Sequence, residues 1–263
     1  MFKKITILSF ITICCVSFAG CGKNTTKDKT STETIVSEVE NTENANKSGT
    51  DVESYSMSTY TEAPNEKSSI KIEYPSFVGN NVDALNTLVY DKVQSLAKID
   101  TSLFSSDSAL TIDYQSAVTL QNSKIVSIIF WGTSNIEGSA YPVTNLFALN
   151  IDLQSMKEVT LKELYTINDE FEKVFFEKAY FPTNPITSYD EASFPEMLKL
   201  QSSEYQTVDP FSIDNNVSFF LKPDGIVLSM PATHATGSDH IEAELNYSDI
   251  QQFYQLKQNY WQE

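Results

Sequence analysis

There is no arginine in this chain of 263 residues, and no cysteine beyond position 21. The first absence argues against a nucleic-acid partner. Phosphate recognition relies on Lys and Arg, and Arg alone supplies the planar fork that grips a phosphate with two hydrogen bonds. The charge balance points the same way, with 18 basic residues against 35 acidic ones and a net charge of −17. Between residues 69 and 263, 11 lysines stand against 26 acids. Such a field repels anionic surfaces and steers in cationic partners. The second absence removes disulfides, cysteine-ligated zinc and thiol catalysis from everything after Cys21. The folded part must therefore rest on an apolar core, and about 200 residues are enough to build one. Glycine-rich phosphate loops, a G-x-S-x-G elbow and EF-hand runs are also missing from the sequence.

What is present begins with an address. Met1-Phe2-Lys3-Lys4 is a short basic start, Ile5 to Val16 is an almost unbroken apolar run, and Phe18-Ala19-Gly20 leads into Cys21. That order reads as a secretory signal peptide over residues 1–20. The run is shorter than the roughly 20 residues of a transmembrane helix. Two small residues directly before a cysteine resemble the lipobox of bacterial lipoproteins, with Phe18 in place of the usual leucine. The resemblance implies that Cys21 carries a lipid. It also implies a chain anchored on the extracytoplasmic face of the bacterial cell membrane. Cys14 follows bulky Ile13 and Cys15 follows another cysteine, so both fit the motif less well.

Residues 21–68 have another composition. Thr30-Ser31-Thr32, Asn41-Thr42-Glu43-Asn44 and Ser48-Gly49-Thr50 are typical, and the apolar residues are isolated. No face can be buried, which predicts a disordered tether. Flexible-chain scaling gives such a segment a reach of about 35–40 Å.

Order is expected from Ser69. Ile70, Ile72 and Tyr74 alternate with polar residues as a half-buried strand does, and Pro75 is expected to end it. Asn80 or Asn81 is the expected cap of a helix whose apolar stripe is Val82, Leu85, Val89, Val93 and Leu96. Strands are expected over Leu110–Leu120, Ile125–Trp131 and Val143–Leu153. Thr160-Leu161-Lys162-Glu163 is a capping box. Helices are expected over Asn168–Tyr180 and Glu191–Leu200. Val217–Leu221 and Ile226–Met230 flank the turn residues Lys222-Pro223-Asp224-Gly225. A strand over Ile241–Leu245 and a short helix from Ser248 close the chain. Strands and helices fall in separate runs, so the class is α+β, with antiparallel sheets and helices packed on one face. The expected arrangement is two small consecutive modules, 69–158 and 159–263.

Several stretches together resemble a known family. Ile125-Val126-Ser127-Ile128-Ile129-Phe130 precedes Glu137-Gly138-Ser139-Ala140-Tyr141-Pro142, then Asn150-Ile151-Asp152-Leu153, then Thr160-Leu161-Lys162-Glu163-Leu164. Phe220-Leu221, Asp224-Gly225-Ile226-Val227 and Leu245-Asn246-Tyr247-Ser248-Asp249-Ile250 follow in order. The whole resembles the paired extracytoplasmic modules of the RsiV-type lysozyme-sensing anti-sigma factors and the PdaC-type peptidoglycan deacetylases, over about residues 69–255. In that family the loop is of GGAHP type; here Ser139 and Tyr141 replace its second glycine and its histidine. No deacetylase domain or sigma-binding segment is recognised in the sequence. The resemblance implies the fold and an envelope-facing binding role, and no catalytic residue or cofactor is assigned.

Few residues offer chemistry. His234, Asp239 and His240 are two imidazoles and a carboxylate in one polar stretch, weak candidates for a metal site whose spacing matches no standard motif. Trp131 and Tyr141 flank the departing loop and are weak candidates for a shallow binding site. The leading expectation is a non-catalytic domain that binds a basic protein such as lysozyme, or a cell-wall polymer. The alternatives are a cell-wall glycoside hydrolase using a carboxylate pair, and a structural envelope lipoprotein.

Overall fold

The computed structural model describes residues 49–99, 102, 104–105, 107–181, 211, 217–231, 238–257 and 259–261. The signal peptide, Cys21, His234 and the helix expected over Glu191–Leu200 lie outside these residues.

A six-stranded sheet has the order β1-β2-β3-β4-β5-β6. Its strands are β1 (Asp51–Glu62), β2 (Ser69–Asn80), β3 (Leu110–Gln121), β4 (Ile125–Ile136), β5 (Val143–Asp152) and β6 (Lys157–Glu158). A three-stranded antiparallel sheet follows, made of β7 (Ser218–Leu221), β8 (Gly225–Pro231) and β9 (His240–Asn246). Helix α1 spans Asp83–Leu96, α2 Leu161–Leu164, α3 Asp169–Lys178 and α4 Tyr247–Ile250, which runs into a 3-10 turn at Gln251–Phe253. The class is α+β, as the alternating patterns predict.

Three features depart from the sequence reading. First, β1 lies inside the stretch read as tether. Its face is mostly polar, so burial does not announce it; it is held by an antiparallel ladder to β2 running from Asp51↔Asn80 to Glu62↔Ile70. Second, β2 and β3 pair in parallel, from Ser69↔Thr111 to Ile72↔Tyr114. The chain crosses over through α1 between them, the connection a parallel pair needs. Third, β2 continues past Pro75. The side-chain amide of Asn86 on α1 donates to Phe77 O (2.9 Å) and accepts from Phe77 N–H (2.8 Å). Phe77 therefore turns its backbone groups away from β1. Pro75, two residues earlier and opposite Met57, has its nitrogen on that same outer side. There its missing N–H costs no ladder bond.

The stripe expected of α1 is its buried face: Leu85, Val89, Val93 and Leu96. Its cap is Val82, without a side-chain bond, rather than Asn80 or Asn81. Asn81 instead adopts a left-handed φ of 58°, which asparagine tolerates, and donates to Gly49 O at 3.3 Å. The capping box at Thr160 and Glu163 forms, and Asn168 caps α3 by accepting from Phe171 N–H at 2.9 Å.

The two faces of β4 and β5 serve different layers. Val126, Ile128, Phe130, Leu149 and Ile151 pack with α1, β2 and β3. Ala148, with Ile129 and Leu146 beside it, meets Phe220 and Val227 of the second sheet. That sheet's other face, including Ile226, Leu228, Ile241 and Leu245, packs with Phe171 and Phe175 of α3 and Tyr247 and Ile250 of α4.

A buried polar staple joins the sheets. Asn150 Nδ2 donates to Phe219 O at 2.8 Å, and Leu221 N–H donates to Ser127 Oγ at 2.9 Å. Ser127 Oγ donates to Asn150 Oδ1 at 2.7 Å, and Thr119 Oγ1 lies 3.0 Å from Ser127 Oγ. Phe219 O and Leu221 N–H belong to the edge of β7 that faces away from β8. Polar side chains of one sheet thus satisfy the open edge of the other.

Candidate functional site

Between the sheets, beyond the Ala148 contact, lies an open cleft of about 410 Å³. Its apolar wall is Ile129 and Trp131 of β4 with Leu146 of β5. Its polar wall is Ser238 with His240 and Glu242 of β9. Strand periodicity explains the sorting. Ile129, Trp131 and Thr133 fall on one side of β4, and His240, Glu242 and Glu244 on one side of β9, while Ile241, Ala243 and Leu245 are buried on the other.

Asp239 holds the mouth of this cleft. Its Oδ2 accepts from Thr144 N–H at 2.7 Å and from Thr144 Oγ1 at 3.0 Å, and its own N–H donates to Thr144 Oγ1 at 2.8 Å. This reciprocal clamp fastens the start of β9 to the start of β5. Asp239 is thus a positioning carboxylate. His240 Nε2 lies 3.5 Å from Glu242 Oε1, and Nδ1 lies 3.5 Å from Ser238 Oγ. Among the described residues no three His, Asp or Glu side chains form a metal-binding group.

Two candidates that the sequence left apart, Trp131 and His240, therefore line one cleft. Tyr141 is not in its lining; it sits 47% exposed on the turn between β4 and β5. That turn is tied back by Ser139. Ser139 Oγ lies 2.7 Å from Ile136 O and 2.8 Å from Asn135 Oδ1, both acceptors for its one proton, beside Gly138 at a φ of 100°. Glu242 was missed. Alternation alone puts it on the side of His240, but which side of β9 faces the other sheet is a tertiary fact. Glu244, the next residue on that side, is already bound by Lys222 Nζ at 2.5 Å.

The strand-end motif Asn150-Ile151-Asp152-Leu153 is structural. Asn150 is in the staple, and Asp152 is the anchor of the following turn. Asp152 Oδ1 accepts from Ser155 N–H (2.6 Å) and Gln154 N–H (3.1 Å), and Oδ2 accepts from Tyr260 OH (2.7 Å). Burial alone would raise the Asp152 carboxyl; these hydrogen bonds outweigh it and hold the group below its ordinary value.

No family model and no curated protein matches the sequence. Its structural neighbours are DUF3298 family proteins. One, from Bacteroides fragilis, gives a TM-score of 0.49 at 13% identity, covering 77% of this chain and 94% of that chain. Another, from Pseudomonas aeruginosa, gives 0.46 at 14% identity, covering 77% of this chain and 95% of that chain.

Proposed function

We propose that this is a lipid-anchored cell-envelope protein whose α+β domain is a non-catalytic binding module for a cationic partner, a basic protein such as lysozyme being the first to try. The observation that carries the reading is the charge: 35 acids, 18 lysines and no arginine in the chain. The sequence around Cys21 supports the anchor, and the cleft offers a place for contact. Exposed charges act mainly on the rate of encounter and are screened beyond about 8 Å at physiological salt. Surface plasmon resonance with lysozyme should show binding whose association rate falls as salt rises. Absence of binding even at low salt would remove lysozyme as the partner. For the anchor, Cys21→Ala should abolish lipid labelling and release the chain from membranes; continued labelling would sink the lipobox reading.

A further inference from the structure

We infer that the cleft between the sheets seats a Lys or Arg side chain of the partner, its cation over the Trp131 indole and against the Glu242 carboxylate. The inference rests on the proposed reading of a cationic partner and adds where that partner inserts. Trp131 is half-buried, so part of its ring remains open to the cleft. An indole face attracts a cation through its quadrupole, more strongly as water is excluded. Ile129 and Leu146 supply the apolar wall that the methylene stem of a long basic side chain covers. Ser238 adds a hydroxyl to the polar wall.

Glu242 supplies the charge. The two outward carboxylates of β9 differ in their neighbours. Glu244 holds Lys222, whereas Glu242 meets the imidazole of His240 and, among the described residues, no lysine. The described lining of the cleft contains no lysine, and the chain has no arginine to fold into it. The cleft is thus open, with a half-buried indole and one carboxylate in its lining, and a basic side chain from outside completes it. The Asp239–Thr144 clamp fixes the distance between its walls before anything binds, which reduces the cost of ordering the site.

The chain has two tryptophans, Trp131 and Trp261. Trp261→Phe keeps a ring against Tyr247 and leaves Trp131 as the sole indole reporter. The full-length variant is titrated with an oligo-arginine peptide at low salt while Trp131 emission is followed, and binding is measured independently by surface plasmon resonance on the otherwise unaltered chain. The expected result is a saturable change in emission, with affinity reduced about fivefold by Glu242→Gln, the size of an ordinary cation–carboxylate or cation–π contact. Glu158→Gln, an exposed acid on β6, should leave affinity within error. Binding that leaves Trp131 emission unmoved and is equally insensitive to Glu242→Gln would overturn this site while leaving the proposed function standing. No binding of either the peptide or lysozyme at low salt would overturn both.

Discussion

The six-stranded sheet is closed mainly by aliphatic side chains, and the three-stranded sheet mainly by rings. Ile70, Ile72, Leu85, Val89, Val93, Ile112, Val126 and Ile128 dominate the first core. Tyr165, Phe171, Phe175, Phe181, Phe211, Phe253 and Tyr260 are prominent in the second. There the rings meet edge to face, as in Phe175–Phe211 at 5.0 Å and Phe171–Phe253 at 5.4 Å, and Tyr247 stacks on Trp261 at 3.7 Å. An aliphatic core asks only for shape and dryness. A core of tyrosines also carries hydroxyls, each of which needs a partner and loses its proton at high pH. The first core has Tyr114, whose OH accepts from Asn145 Nδ2 at 3.1 Å. The second holds Tyr165, Tyr247, Tyr254 and Tyr260 together, each pushed above the ordinary phenol range chiefly by burial.

The bluntest way to test the difference is to remove one member of each core. Phe171 and Leu85 are both fully buried. Phe171→Ala should cost about 3–5 kcal/mol and Leu85→Ala about 2–5 kcal/mol, the cost in each case rising with the cavity that fails to close. Chemical denaturation followed by near-ultraviolet and far-ultraviolet circular dichroism checks both. Because Ala148, Phe220 and Val227 join the two cores, the two signals should move together in each variant. A Phe171→Ala protein that loses its aromatic signal while keeping most of its strand signal would show two independent units instead.

The joint itself comes next. Asn150→Ala removes the donor to Phe219 O and the acceptor of the Ser127 hydroxyl, taking a hydrogen-bond partner from each of two buried polar groups. The expected loss is about 2–3 kcal/mol, read as a lowered denaturation midpoint. A loss within error would mean that the staple is not a source of cohesion and that the Ala148 contact suffices.

That joint also marks where the sequence stops being readable. The stripe of α1, the capping box at Thr160 and the strands around the Lys222–Gly225 turn follow from spacing, because each depends on neighbours a few residues away. β1 does not, because Ser54, Ser56, Ser58 and Thr59 carry no pattern of burial; β2 supplies the ladder that makes them a strand. The parallel pairing of β2 with β3 and the continuation of β2 through Pro75 both depend on α1 lying across the sheet, and Asn86 shows no sign of that role in the sequence. In the cleft, Trp131 and His240 were individually visible, but their meeting depends on how two sheets stack. Glu242 became a candidate only once the side of β9 was known.

A smaller effect should come from the contact between the C-terminal segment and the strand-end motif. Tyr260→Phe removes the hydrogen bond to the Asp152 carboxylate. A bond to a charged group is worth about 1.5–3 kcal/mol, and the lower end applies here because Ser155 and Gln154 still hold Asp152. The folded state holds the Asp152 carboxyl below 3.8, its ordinary value. Its contribution is therefore present above that pH and is lost as pH falls through the lowered folded value. The gap in stability between the Tyr260→Phe variant and the parent should narrow on acidification. A gap that stays constant down to strongly acidic pH would detach Asp152 from the effect.

The smallest change runs in the stabilising direction. Tyr165 is 1% exposed, and its OH has no hydrogen-bond partner among the described residues. An unsatisfied buried hydroxyl costs about 1–3 kcal/mol, so Tyr165→Phe should raise stability by about 1 kcal/mol once some packing is lost around the missing oxygen. The ring contacts with Phe171, Tyr254 and Trp261 need no hydroxyl and should survive. The pH dependence separates this account from simple repacking. Burial, with Tyr247 and Tyr254 adding to it, pushes the Tyr165 phenol well above 10.0, its ordinary value. Below that pH the phenol is neutral in both states. Above it the unfolded chain releases the proton while the folded chain keeps it, so stability falls as pH rises. Phenylalanine cannot ionise, so the advantage of Tyr165→Phe should grow as pH rises above 10.0. Denaturation midpoints of the two proteins, compared at neutral and alkaline pH, decide it. An advantage that stays flat with pH would assign the gain to packing, and a destabilised variant would show that the Tyr165 hydroxyl is partnered after all.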